Sequence, residues 1–159
     1  MDQDRRDLMT LGIAAAGAAT VSVAAASSAS AQTKPDAPKY IRHDPPRAYA
    51  KGVVMGNMIF LAGEDSKDPK TQQVQGANAA EQTEITFRNI KATLEGLGSS
   101  LDNVIKATVY LKDPRDRGKY GQMAGKYLPH APVGTLIMGV QLAEPEMLVE
   151  IEVVAVIPA

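Results

Sequence analysis

The chain has 159 residues, 45% hydrophobic and 22% charged, which suits one globular domain and excludes a fibrous or wholly disordered chain. It contains no cysteine and only two histidines, His43 and His130, so disulfides, a thiol nucleophile, thiolate metal sites and a histidine cluster are excluded. A net charge of −1 gives no electrostatic reason to expect nucleic acid as a partner.

Residues 1–31 read as an address. Arg5-Arg6 stands first, the alanine-rich run from Leu11 to Ala26 follows, and Ala29-Ser30-Ala31 closes the segment as an A-x-A cleavage site. The arginine pair and the weakly hydrophobic core point to a twin-arginine signal peptide, hence to a periplasmic or secreted protein. A membrane anchor is the alternative, but the apolar run is short of the roughly 20 residues that span a bilayer. Thr20 and Ser22 interrupt it as well. After cleavage no membrane contact is expected. The segment carries two of the 17 basic and three of the 18 acidic residues, so the remainder is neutral.

Residues 32–46 hold Pro35, Pro38, Pro45 and Pro46 and read as an extended lead-in to a domain over 47–159. Tyr49–Met55 and Met58–Ala62 form a hairpin about Gly56-Asn57. Glu64–Gly76 is a polar loop. Thr83, Phe87, Ile90, Leu94 and Leu97 share one face of a helix over 78–96, which Gly96 and Gly98 end. In 104–111, Ile105, Ala107, Val109 and Leu111 alternate with Lys106, Thr108 and Tyr110, the pattern of a strand with one dry face. A second helix runs from about Arg117 to Leu128, weakened by Gly118, Gly121 and Gly125. Pro129 and Pro132 bracket a break, Val133–Leu142 is a strand, and Leu148–Ile157 is the last one. Its Val149, Ile151, Val153, Ala155 and Ile157 share one face, and Leu148, Glu150, Glu152, Val154 and Val156 the other.

The order β-β-α-β-α-β-β predicts an α+β fold, a single sheet with two helices on one face. The other face keeps apolar residues, which oligomerisation through the sheets would cover.

These elements and several local strings resemble the RidA/YjgF family of small trimeric proteins, which includes enamine/imine deaminases. The strings are Ala48-Tyr49-Ala50-Lys51-Gly52-Val53, Ile59-Phe60-Leu61-Ala62-Gly63, Glu81-Gln82-Thr83, Asn89-Ile90, Leu101–Lys106, Val109–Asp113 and Leu148–Ala155. The resemblance covers roughly 46–158. It implies a chorismate-mutase-like fold, a homotrimer around a central β-barrel, and a small-molecule ligand in each inter-subunit cleft, with no metal or organic cofactor.

By the same resemblance, Glu150 is the catalytic carboxylate that directs water. Tyr49, Gly63, Glu64, Gly134, Thr135 and Leu136 line the ligand. Glu64 stands where the family has glutamine. Gly134 takes the place of the arginine that holds a substrate carboxylate, and no Lys or Arg follows Lys126. The family's cysteine falls on Leu136 and its helix asparagine on Gly121. This departure counts against standard 2-imino acid deamination and leaves two readings. One is an exported protein that binds a small metabolite and hydrolyses an imine or enamine. The other is a non-catalytic ligand-binding or accessory module of a periplasmic catabolic pathway. A ribonuclease reading is disfavoured by the neutral charge.

Each candidate has a plainer alternative. Glu150 and Glu152 can sit on a solvated or subunit-facing surface beside Lys106 or Arg88. Tyr49 can be an edge-strand aromatic packed on a neighbour. His130 near the expected cleft can be a surface-loop histidine. Glu64, Asp65 and Asp68 lack the spacing of a calcium loop and read as a solvated turn.

Overall fold

The computed structural model describes residues 36–159. The signal-peptide segment, residues 1–31, lies outside the described residues. Among the described residues no helix is long and apolar enough to cross a membrane.

Six strands form one sheet in the order β1-β2-β3-β6-β4-β5. They are β1 Lys39–Ile41, β2 Gly52–Met55, β3 Met58–Leu61, β4 Val104–Leu111, β5 Val133–Met138 and β6 Val149–Val156. Helix α1, Ala79–Gly96, leads from β3 to β4, and α2, Arg117–Tyr127, leads from β4 to β5. The fold is α+β with both helices over one sheet, as the sequence predicts. β5 runs parallel to β4, and every other pair is antiparallel. A parallel neighbour requires a crossover element, and α2 provides it.

The core lies between the sheet and the helices. Ile59, Val109, Leu111, Val149 and Ile151 meet Phe87, Ile90 and Leu94 of α1, all buried. Tyr120, Ala124 and Tyr127 of α2 pack on its margin, and the Tyr127 ring stacks on Phe87 with centroids 5.2 Å apart.

Three expectations need correction. The lead-in contributes a strand: β1 pairs with β2, Tyr40 opposite Val53. In β4 the ladder to β6 shifts register between Val104 and Lys106. The extra residue turns Ile105 outward, 43% exposed, and Val104 takes the core position instead. The strands are also shorter than the apolar pattern suggests. Tyr49 precedes β2. β6 begins one residue after Leu148, whose N–H donates to the buried Gln82 side chain at 2.8 Å.

Candidate functional site

Period-two alternation places Glu150. Val149, Ile151, Val153 and Ala155 are buried toward the helices, so Glu150 and Glu152 point to the other face. The β4 ladder sets Glu150 opposite Tyr110 and Glu152 opposite Thr108. Gln82 holds the start of β6 in register: its amide nitrogen donates to the Glu146 carbonyl at 2.8 Å, and its oxygen receives the Leu148 N–H.

Beyond β3 the chain stays against β6. Glu64 and Ile151 exchange both backbone hydrogen bonds, each at 2.9 Å. This brings Gly63 under the Glu150 carboxylate. A Cβ on residue 63 would lie 1.9 Å from Glu150 Oε1, so only glycine leaves room for the carboxylate in this position. Glu150 is half-buried. Its carboxyl is held above the usual carboxylate range by burial first, then by Asp65 and Glu152, with Lys67 opposing. Among the described residues neither Glu150 nor Glu152 forms an ion pair with Lys106 or Arg88, and Lys106 stands opposite Val154.

Glu64 departs from the solvated-turn reading. Its side chain is only 14% exposed and stands 3.4 Å from Lys51 Nζ. Glu64 Oε1 is the oxygen that faces Lys51, and it has no closer polar partner among the described residues. Burial pushes this carboxyl up, and Lys51 partly offsets the shift. The rest of the acidic group does turn work: Asp65 accepts from the Lys67 N–H, and Asp68 from those of Lys70 and Thr71. Asn89 of α1 pins this loop by donating to the carbonyls of Asp65 and Lys67 at 3.0 and 2.9 Å.

Gly63 and Glu64 border a cleft of about 410 Å³ between this loop, α1 and the segment before β2. Arg47, Lys51 and His43 line its opposite wall. Tyr49, 52% exposed, stands beside that wall. Its hydroxyl accepts from Arg47 Nη1 at 2.9 Å, and its ring meets His43 edge-on at 5.0 Å. Arg47 and His43 were not singled out from the sequence for binding. The one available signal was Arg47 two positions before Tyr49.

The β5 candidates lie elsewhere. Gly134 is opposite Ala107 and Leu136 opposite Val109, both core-facing residues, so these two positions face α2 rather than Glu150. With Tyr120 and Ala124 they border a hollow of about 300 Å³. Thr135 is opposite Thr108, on the face that carries Glu152. A Cβ at residue 134 would stand 2.8 Å from the Ala107 carbonyl oxygen, so a larger residue there requires the backbone to move. Within one chain, β4 separates these positions from Glu150. His130 is engaged by its own chain: Nε2 lies 2.7 Å from the Val104 carbonyl oxygen and must donate to it, which ties the break before β5 to the start of β4.

Comparison with known proteins agrees with this architecture. The family model described as Endoribonuclease L-PSP matches residues 41–157. A RutC family protein of Saccharolobus solfataricus is 37% identical over 107 residues, covering 67% of this chain and 85% of that protein. Among solved structures, RidA from an Antarctic Psychrobacter is 29% identical with a TM-score of 0.64, covering 69% of this chain and 89% of that one. E. coli TdcF with bound serine is 25% identical with a TM-score of 0.64, covering 69% and 88%. With one sheet, two helices over it and a match along nearly all the described residues, the chain belongs to the Endoribonuclease L-PSP, or RidA/YjgF, family.

Proposed function

We propose that this protein is exported, assembles as a homotrimer with its open sheet faces around a central barrel, and binds a small metabolite between subunits. The Glu150–Gly63 wall of one subunit then faces the Gly134–Leu136 strand of the next, which joins the two groups that β4 separates within a chain. Phe60, 41% exposed on the open sheet face, supports burial against another copy. The TdcF relative with bound serine supports a small ligand.

The chemistry we assign is hydrolysis of an imine or enamine. Glu150 takes a proton from water as the water oxygen bonds to the C=N carbon. It passes that proton to the nitrogen to give a carbinolamine, then takes the carbinol O–H proton and delivers it to the nitrogen as the C–N bond breaks, leaving a carbonyl compound and ammonia; an enamine first tautomerises to the imine. The observation that carries this reading is the Glu150 carboxylate laid over Gly63, half-buried and held toward protonation. Such a group exchanges protons closer to neutral pH than a solvated glutamate does.

The test is hydrolysis of freshly generated 2-imino acids. Glu150→Gln is expected to lower the rate roughly 10²- to 10⁴-fold with the fold intact. Full activity in that variant removes the role. The second reading, a non-catalytic ligand-binding or accessory module of a periplasmic catabolic pathway, is favoured by the lack of any Lys or Arg after Lys126, which leaves β5 and β6 without a cation for a substrate carboxylate. A ligand that co-purifies unchanged, with no turnover by the folded protein, decides for it.

A further inference from the structure

The hollow of about 300 Å³ between α2 and the β4–β5 edge of the sheet has no charged residue in its lining. Val109, Leu128 and Leu136 give it apolar walls. It is open because Ala107, Ala124, Gly125 and Gly134 between them are small. Among the described residues nothing beyond its own helix backbone stands within 4 Å of a Cβ on Gly125, so a side chain there would enter unfilled space. Position 134 is bare for the opposite reason, since a Cβ there would stand 2.8 Å from the Ala107 carbonyl oxygen. The β4 backbone thus keeps a long side chain off this part of β5.

The side-chain polar atoms of the lining are the Tyr120 and Thr135 hydroxyls. Burial pushes the Tyr120 phenol up, and no charged group contributes to the shift. Cations close in sequence are engaged or turned away. Lys126 Nζ lies 3.3 Å from the Glu84 carboxylate, and His130 Nε2 is held by the Val104 carbonyl oxygen. Lys106, opposite Val154, alternates to the other face of β4 from Ala107. A carboxylate placed in this hollow would lose its water and gain no cation, which is strongly unfavourable. An uncharged ring loses only apolar hydration, and the Tyr120 hydroxyl suits one polar atom at its edge.

We propose that this hollow binds an uncharged, mostly apolar group about the size of a benzene ring, with the Tyr120 hydroxyl on a polar atom at its edge, and so selects imines that carry no carboxylate. A volume of about 300 Å³ is at the small end of ligand pockets and admits one ring. The selection of imines rests on the proposed assembly, in which the Gly134–Leu136 strand of one subunit faces the Glu150–Gly63 wall of the next. Of the charges that bear on Glu150, Asp65 and Glu152 are negative and Lys67 is positive. Lys67 is already held by Glu144 at 2.6 Å and Asp65 at 3.6 Å. That balance suits a protonated, cationic imine nitrogen beside Glu150. Binding reads the hollow and turnover reads Glu150, so failure of one is distinguishable from failure of the other.

The experiment is calorimetric titration of the full chain with benzyl alcohol, benzoate and ethanol. Benzyl alcohol is expected to bind saturably with a Kd on the order of 1 mM, as suits so few atoms. Benzoate, the same ring with a charge, is expected roughly tenfold weaker or more. Ethanol, which keeps the hydroxyl and lacks the ring, is expected roughly tenfold weaker or more. Ala124→Leu, which fills the hollow, is expected to lose about tenfold or more for benzyl alcohol, and Tyr120→Phe severalfold. No saturable benzyl alcohol binding, benzoate or ethanol binding as tightly, or unchanged binding in Ala124→Leu each overturns the proposal. If Ala124→Leu fails to fold, the three ligands on the unaltered chain decide. In turnover, the imine of benzaldehyde and methylamine is expected to be accelerated about tenfold or more over 2-iminopropanoate, each relative to its rate in buffer. Greater acceleration of 2-iminopropanoate overturns the selection of imines. Acceleration of neither overturns that selection together with the hydrolytic role of Glu150, and the titrations still decide what the hollow binds.

Discussion

The two helices cover the same sheet and are built differently. α1 has 18 residues, seven of them buried. Asn78 caps it by accepting the N–H groups of Ala80 and Glu81 at 3.0 and 3.2 Å, and Gln82 ties it to the turn before β6. α2 has 11 residues, none of them buried, and no side-chain cap. Among the described residues its three glycines, Gly118, Gly121 and Gly125, have nothing beyond their own helix backbone within 4 Å of where a Cβ would stand. Glu150, Gly63 and Glu64 are thus held by the tightly packed half of the molecule. Gly134–Leu136 lie on an edge strand held by the β4 ladder and a loosely seated helix. Where a carboxylate must be placed closely, the fold places it against α1.

The contrast breaks first if α1 is not the main anchor. Phe87 is fully buried and stacks on Tyr127. Phe87→Ala is expected to cost about 3–5 kcal/mol by denaturant unfolding, a large part of the roughly 5–15 kcal/mol that holds a typical domain folded. A loss below about 1 kcal/mol would mean that the half around α1 is not the tightly packed one.

The next effect is local. In Gly63→Ala the three atoms nearest the new methyl all belong to Glu150: Oε1 at 1.9 Å, Cδ at 2.8 Å and Cγ at 3.0 Å. The expected cost is about 1–3 kcal/mol, as for other overpacked sites, with the carboxylate displaced. In a Glu150→Ala background the same change should cost much less, because the clashing atoms are gone. A double-mutant cycle reads this coupling directly. An additive cycle would show that Gly63 is required for its backbone and not for the carboxylate above it.

Much of this was legible in the sequence, for physical reasons. Period-two alternation over 149–157 put Glu150 on the face away from the core, and the four- and three-residue spacing of Thr83, Phe87, Ile90 and Leu94 placed α1. What was not legible depends on contacts between distant segments. The β4 bulge that turns Ile105 outward comes from its register with β6 and leaves no mark in an alternating string. β1 is three residues in a proline-rich stretch, a strand only because β2 offers an edge. Glu64 read as solvated because its neighbours are polar, and it is buried because the bridge to Ile151 pulls it inward. The wall of Arg47 and His43 comes from residues before β2 that share no periodicity with the loop they face.

The smallest expected effect tests what α2 is for. Alanine is preferred over glycine inside a helix by about 0.5–1 kcal/mol, since glycine loses more backbone freedom on folding. Among the described residues nothing beyond its own helix backbone lies within 4 Å of a Cβ on Gly121, so Gly121→Ala is expected to stabilise the single subunit by about that much. Thermal unfolding would show it as a rise of a few degrees. If stability falls instead, the obstacle lies outside the described residues, since among them nothing stands within 4 Å of the added methyl. Gly121→Ala that unfolds earlier and also sediments as a smaller species than the unaltered chain would place α2 against a neighbouring subunit. Its glycines would then be close-contact positions, and the loose half would be half of an interface. A simple rise in stability would leave α2 as what it is within one chain, a crossover that carries β5 to the edge of the sheet.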